Sequence, residues 1–125
     1  MQKKMVVKKS EMKMSDYKPD KWVMLKFISE GQTTYKVLAG WGGSYTHGQS
    51  WKLNSGVTRV EEDGDYYLFS GYSGSVYKCH KKGYGWTSYM MQVFNSFEEQ
   101  IDANDNVRME LLPEETNFME LHYEE

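Results

Sequence analysis

The chain has one cysteine, Cys79, followed directly by His80, and a thiol beside an imidazole is the first pairing whose types could do chemistry. A cysteine nucleophile needs a base within hydrogen-bond reach. Residues 75–80, SVYKCH, read as a strand, and neighbouring strand side chains point to opposite faces. The two groups therefore diverge, and Cys79 is expected to be a buried, inert thiol. His47 and His122 are the remaining imidazoles. With Cys79 and His80 they lack the paired close spacing of a zinc site. Glu61, Glu62, Asp63 and Asp65 straddle a turn without the ligand spacing of a calcium loop. Trp41-Gly-Gly and Gly71-Tyr-Ser-Gly74 lack the following helix that a phosphate loop requires. The sequence therefore assigns no catalytic residue, no metal and no cofactor.

The aromatic residues offer a different chemistry. Trp41, Tyr45, Trp51, Tyr72, Tyr84, Trp86 and Tyr89 all lie in or beside Gly-rich connections. Rings in such segments suit stacking on a flat ligand, and stacking on a base contributes ~1–3 kcal/mol per ring. Lys52, Arg59, Lys78, Lys81 and Lys82 are bases available for phosphate, and His47 and His80 can add hydrogen bonds. The candidate ligand-binding set is Trp41, Tyr45, His47, Trp51, Tyr72, His80, Lys81, Lys82, Tyr84 and Trp86. The competing reading is that the same rings close a small core at its ends, because the aliphatic content is sparse.

Strands and turns must position these residues. Lys21 to Ile28 (KWVMLKFI) is a strand by composition, and its imperfect alternation fits one covered on both faces. Gln32 to Trp41 is its partner, with Thr33, Tyr35, Val37 and Ala39 on one face and Thr34, Lys36 and Leu38 on the other. Glu30-Gly31 supplies the tight turn between them. Residues 41–51 read as a loop. Further strands are expected at 50–54, 57–62, 65–70 and 75–80, with Asp63-Gly64 as a hairpin signal. Turns this short make antiparallel neighbours. Met90, Val93, Phe94, Phe97 and Ile101 form a helical stripe, capped by Thr87 or Ser88. The expected fold is a β-rich α+β domain. It is a meander of about five antiparallel strands, or a small barrel, with one covering helix over about residues 88–101 and an acidic C-terminal segment.

The chain has 125 residues, 39 % hydrophobic and 15 % aromatic, with a formal net charge of -3. That length suits one domain. A single Cys excludes an internal disulfide framework. No apolar run approaches the ~20 residues of a membrane helix, and no secretory signal is recognisable. The expectation is a soluble cytoplasmic protein. Charge divides into zones: residues 1–26 carry eight Lys against Glu11, Asp16 and Asp20, and residues 96–125 carry Arg108 against ten acids. Residues 1–20 read as a basic, flexible arm, 21–102 as the globular domain, and 103–125 as an acidic segment partly docked on it. Met14 is an alternative start to Met1. The basic arm is either a solvated tail or a phosphate-contacting arm, and the acidic end either a solvated face or a phosphate mimic.

One stretch carries a resemblance. W-x-L-N-S-G-V-T, D-G-D-Y-Y, Y-S-G-S-V-Y-K-C-H-K and Y-G, from Trp51 to Gly85, resemble a family of small proteins encoded by tailed bacteriophages. The family has no established activity or catalytic residues to transfer. The resemblance implies a host-cell cytoplasmic setting and an accessory role, including modulation of host enzymes or host defence. Together with the rings it yields a first expectation: a non-enzymatic binding protein that engages a host protein or sequesters a small nucleotide-type signal. The alternative is a small β-barrel binding single-stranded nucleic acid, whose affinity would fall steeply with salt. A small Cys/His enzyme is the third and least supported reading.

Overall fold

The computed structural model describes residues 15–42, 48–104 and 106–123. The strands are β1 (Lys21–Ser29), β2 (Gln32–Trp41), β3 (Ser50–Leu53), β4 (Val57–Asp63), β5 (Tyr66–Gly71), β6 (Val76–His80) and β7 (Val107–Leu111), with one helix, α1 (Ser88–Asp102). Lys81–Gly83 form a single 3-10 turn after β6. The β1–β2 hairpin closes through Glu30 (φ 53) and Gly31 (φ 81), with Ser29 paired to Gln32. Two consecutive positive φ values match the right-handed twist of the strands they join. The fold is α+β and antiparallel, as the sequence indicates, but the strands do not run as one meander. They form a four-stranded sheet in the order β3-β2-β1-β7 and a three-stranded sheet in the order β4-β5-β6.

The break lies at Asn54, between β3 and β4. Its Oδ1 accepts the N–H groups of Val37, at 2.9 Å, and Gly56, at 3.3 Å, while its own N–H donates to the Val37 carbonyl. Asn54 is 3 % exposed and its Nδ2 has no partner among the described residues. Two N–H donors facing Oδ1 fix the amide in this orientation, since the flipped amide would set donor against donor. The side chain thus takes the place of a ladder partner, and Gly56 (φ 131) carries the chain across to the second sheet.

The sheets stack face to face around an aromatic core. Trp22 and Met24 of β1, Tyr35, Val37 and Ala39 of β2, and Phe69, Tyr77 and Cys79 of the second sheet fill it. The opposite face of β1 and β2 packs on α1 through Val23, Leu25, Leu38, Met90 and Val93. Coverage on both faces explains why β1 reads as a near-continuous apolar run. Thr87 caps α1, its Oγ1 accepting the Met90 N–H at 3.1 Å. Gly40 lets the helix approach: a Cβ built there would lie 2.4 Å from Met90 Sδ and 2.5 Å from its Cγ. Met90 is fully buried and its sulfur accepts the Thr87 N–H, so it cannot swing aside without breaking the cap. Gly40→Ala is expected to destabilise by about 1–3 kcal/mol through overpacking, more than the ~0.4–1 kcal/mol that alanine gains over glycine in the unfolded chain. The midpoint of urea unfolding measures this, and an unchanged midpoint would count against the close contact.

The last segment completes the aromatic core. Phe118 is 2 % and Tyr123 7 % exposed. Phe118 lies against Trp22, Tyr67, Phe69 and Tyr84, and Tyr123 against Tyr35 and Phe69. At the other terminus, Asp16 and Tyr17 run beside β6: Val76 donates to the Asp16 carboxylate, and Lys78 N–H to the Tyr17 carbonyl. Residues 1–14 lie outside the described residues. No helix among the described residues is long and apolar enough to cross a membrane.

Candidate functional site

Antiparallel pairing decides which of the candidate rings can meet. β5 pairs with β6 so that Tyr66 faces His80 at one end and Ser70 faces Val76 at the other. Tyr72, in the turn after β5, is therefore at the opposite end of this sheet from His80, Lys81, Lys82 and Tyr84. The single converging set expected from the sequence is divided in two by this topology. Tyr45 and His47 lie outside the described residues.

At the end holding His80, most groups already have partners. The His80 Nδ1 accepts the Lys82 N–H at 3.0 Å, its ring meets Tyr66 edge-on at 4.8 Å, and its carbonyl accepts the Trp22 indole N–H at 2.7 Å. Lys81 pairs with Glu62 at 2.8 Å, which raises its pKa, and lies over the Tyr67 ring. Lys82 is exposed. Tyr84 serves the core: its hydroxyl donates to the Leu112 carbonyl at 2.6 Å and accepts the Met24 N–H at 3.0 Å. Burial pushes its pKa up to about 12. Trp41 packs on Tyr17 and donates its indole N–H to the Lys18 carbonyl. Trp86 packs on Phe94, and Trp51, 37 % exposed, on Phe97. Cys79 points into the core, fully buried, with its thiol pKa raised well above the ordinary value by desolvation. Such burial favours the protonated thiol over the nucleophilic thiolate.

The other end of the sandwich is open. A cleft of about 460 Å³ lies among Gly31, Gln32, Thr33, Thr34, Tyr72, His122 and Tyr123. That is within the size range of small-ligand sites. Tyr72 is its exposed ring, at 59 %. The ring lies against Gly56, where an added Cβ would be 2.7 Å from two ring carbons and 3.1 Å from the Thr34 methyl. The Tyr72 N–H bonds to the Gly56 carbonyl at 3.0 Å, and the Ser73 N–H to Ser55 Oγ at 2.9 Å, so the turn is pinned. Tyr123 closes the floor, its hydroxyl donating to the Phe118 carbonyl and its ring edge-on to Tyr35.

What remains for a ligand is polar and mostly neutral. Thr33 and Thr34 offer hydroxyls, Gln32 an amide, and exposed His122 an imidazole. Of the eight candidates among the described residues, only Tyr72 lines this cleft. His122, which in the sequence stands only among the imidazoles without metal-site spacing, belongs to it. Thr33 and Thr34 read as ordinary strand residues, and their one signal was adjacency to the Glu30-Gly31 turn. No group of three or more His, Cys, Asp or Glu among the described residues could hold a metal ion. No family model matches the chain, and no curated protein or solved structure matches it.

Proposed function

We propose that the protein is a non-enzymatic binding module that takes a small, planar, polar ligand of nucleotide type in the cleft beside Tyr72. The observation that carries this reading is a pinned, exposed tyrosine ring above hydroxyl, amide and imidazole groups in a cleft of about 460 Å³. A heteroaromatic ring stacks on Tyr72, while Gln32, Thr33, Thr34 and His122 bond to its polar edge. The resemblance of residues 51–85 to phage proteins supports an accessory role in a host cytoplasm, in which sequestering a nucleotide signal counters host defence. Engagement of a host protein through the same exposed ring is the variant of this role that needs no small ligand. Among the described residues no strand pairs with the outer sides of β3, β4 and β7, so a closed barrel for single-stranded nucleic acid has less support.

A thermal-shift and native-mass screen of the purified chain against nucleosides, cyclic mononucleotides and dinucleotides tests the proposal. Any binder raises the melting temperature by mass action. Tyr72→Ala, which removes only an exposed ring, should lower affinity about 5- to 150-fold, the equivalent of ~1–3 kcal/mol of stacking, with the fold intact. Full affinity in that variant, or no binder in the panel, would remove the cleft from consideration as a nucleotide site.

A further inference from the structure

We infer that β7 is a self-complementary edge through which two copies of this chain pair, joining their four-stranded sheets into one. β7 is the terminal strand of its sheet, and no strand among the described residues covers its outer side. An open edge presents unpaired backbone groups that template a further strand.

The hydrogen-bond phase shows which groups face outward. Leu112 donates its N–H to the Met24 carbonyl at 3.0 Å, and the register runs from Leu25↔Leu111 to Ser29↔Val107. Bonding toward a given neighbour alternates along an antiparallel strand. Leu112, Glu110 and Arg108 therefore bond toward β1, while Leu111, Met109 and Val107 turn their backbone groups outward. The Val107 N–H is already held by the Asn104 carbonyl at 3.4 Å; among the described residues, those of Met109 and Leu111 are not so held.

The sequence of the strand, VRMEL, fits its own antiparallel copy about Met109. A two-fold axis there makes Met109 and the partner's Met109 a hydrogen-bonded pair. Val107 then faces the partner's Leu111. Arg108 faces the partner's Glu110, and Glu110 the partner's Arg108, in the non-hydrogen-bonded positions where side chains approach most closely. Both charges are available. Arg108 is 70 % and Glu110 44 % exposed, and they pair with each other at 3.1 Å within the strand. On the helix side, Leu111 is 41 % exposed, and a depression of about 380 Å³ runs between Ile101 and Asp102 of α1 and Val107 to Glu110. Leu111 would bury its exposed side chain against the partner's Val107. Each contact occurs twice, as an isologous interface requires.

β4 is the competing edge, since Arg59 and Glu61 flank Val60 in the same manner. Its register shifts between Val57 and Arg59, and bulges blunt an edge. A Val60-centred pairing would also set Val57 against the partner's Asp63, so it lacks the apolar flanks of β7.

Sedimentation velocity on the full chain tests this, over a concentration series reaching about 1 mM, a dissociation constant at the weak end of association. A dimer is expected. Arg108→Glu and Glu110→Arg should each raise its dissociation constant about tenfold or more by setting like charges opposite each other twice. The double reversal should restore it to within about threefold, and an equimolar mixture of the two single variants should form heterodimers. Unchanged far-ultraviolet circular dichroism spectra of the single variants confirm that these exposed changes leave the fold intact. A monomer throughout the series overturns the inference. So does a dimer indifferent to both reversals, or one that dissociates on Arg59→Glu, which would place the interface at β4.

Discussion

Trp22→Ala should cost about 3–5 kcal/mol, the range for truncating a fully buried aromatic, out of a total of ~5–15 kcal/mol for a domain of ordinary stability. Trp22 is 1 % exposed and lies at the centre of the ring network, with Tyr84, Phe118 and Phe69 at 4.8, 5.2 and 5.3 Å between centroids. Its indole N–H also satisfies the His80 carbonyl at 2.7 Å. Truncation therefore opens a cavity between the sheets and orphans a backbone acceptor, which adds about 1 kcal/mol or more. The neighbours come from β5, the turn after β6 and the C-terminal segment, so no one element can collapse into the gap. Trp51→Ala is the control: that ring is partly exposed at the edge of the helix layer, and its loss should cost less than half as much. Chemical denaturation of both variants decides the matter. Equal losses would mean that the core is not organised around Trp22.

The second large effect is alkaline unfolding. Burial raises the phenols of Tyr77 and Tyr84 to about 12, and Tyr123 is raised as well. An unfolded tyrosine titrates near 10. Below about pH 10 both states hold their phenolic protons, and the contribution of these groups is fully present. Between about pH 10 and 12 the unfolded chain has released protons that the folded chain still binds, so stability falls as pH rises. Allowing for partial solvent contact, Tyr77 and Tyr84 contribute about 1–2 kcal/mol apiece to that fall. The Lys81 ammonium and the Cys79 thiol, both raised, act in the same direction. Phenolate absorbance isolates the tyrosines: the folded chain should lag behind the denatured chain across this window. Tyr84→Phe removes one titrating group and should flatten the decline, while lowering stability at neutral pH because Met24 N–H and the Leu112 carbonyl lose their shared partner. Coincident absorbance curves for folded and denatured chain would refute the burial-driven shifts.

Much of the local structure is legible in the sequence, for local reasons. The β1–β2 hairpin follows from Glu30-Gly31 between apolar runs. α1 follows from the stripe at Met90, Val93, Phe94 and Phe97 behind a threonine cap. The crossing between sheets is not legible, because Asn54-Ser-Gly56 has the composition of any polar turn. Only the buried contacts of the Asn54 amide show that it ends one sheet rather than reversing a strand. The C-terminal rings are hidden for a similar reason: Phe118 and Tyr123 stand singly among acids with no period, so their seats become visible only with the core present. The candidate site suffers most. Tyr72 and Tyr84 look equivalent as rings beside glycines, yet antiparallel pairing sends one to an open cleft and the other beneath Leu112.

The seating of Phe118 and Tyr123 between the sheets has a consequence for biosynthesis. During synthesis, which runs from the amino end, β1 to β6 are made before Phe118 and Tyr123, the residues that close their shared interior. Trp22 must wait for a ring 96 positions downstream, at the separation given by its contact with Phe118. Loop closure over such spans is slow, so the nascent chain displays an unsealed aromatic interior to chaperones until Phe118 and Tyr123 are made and seated.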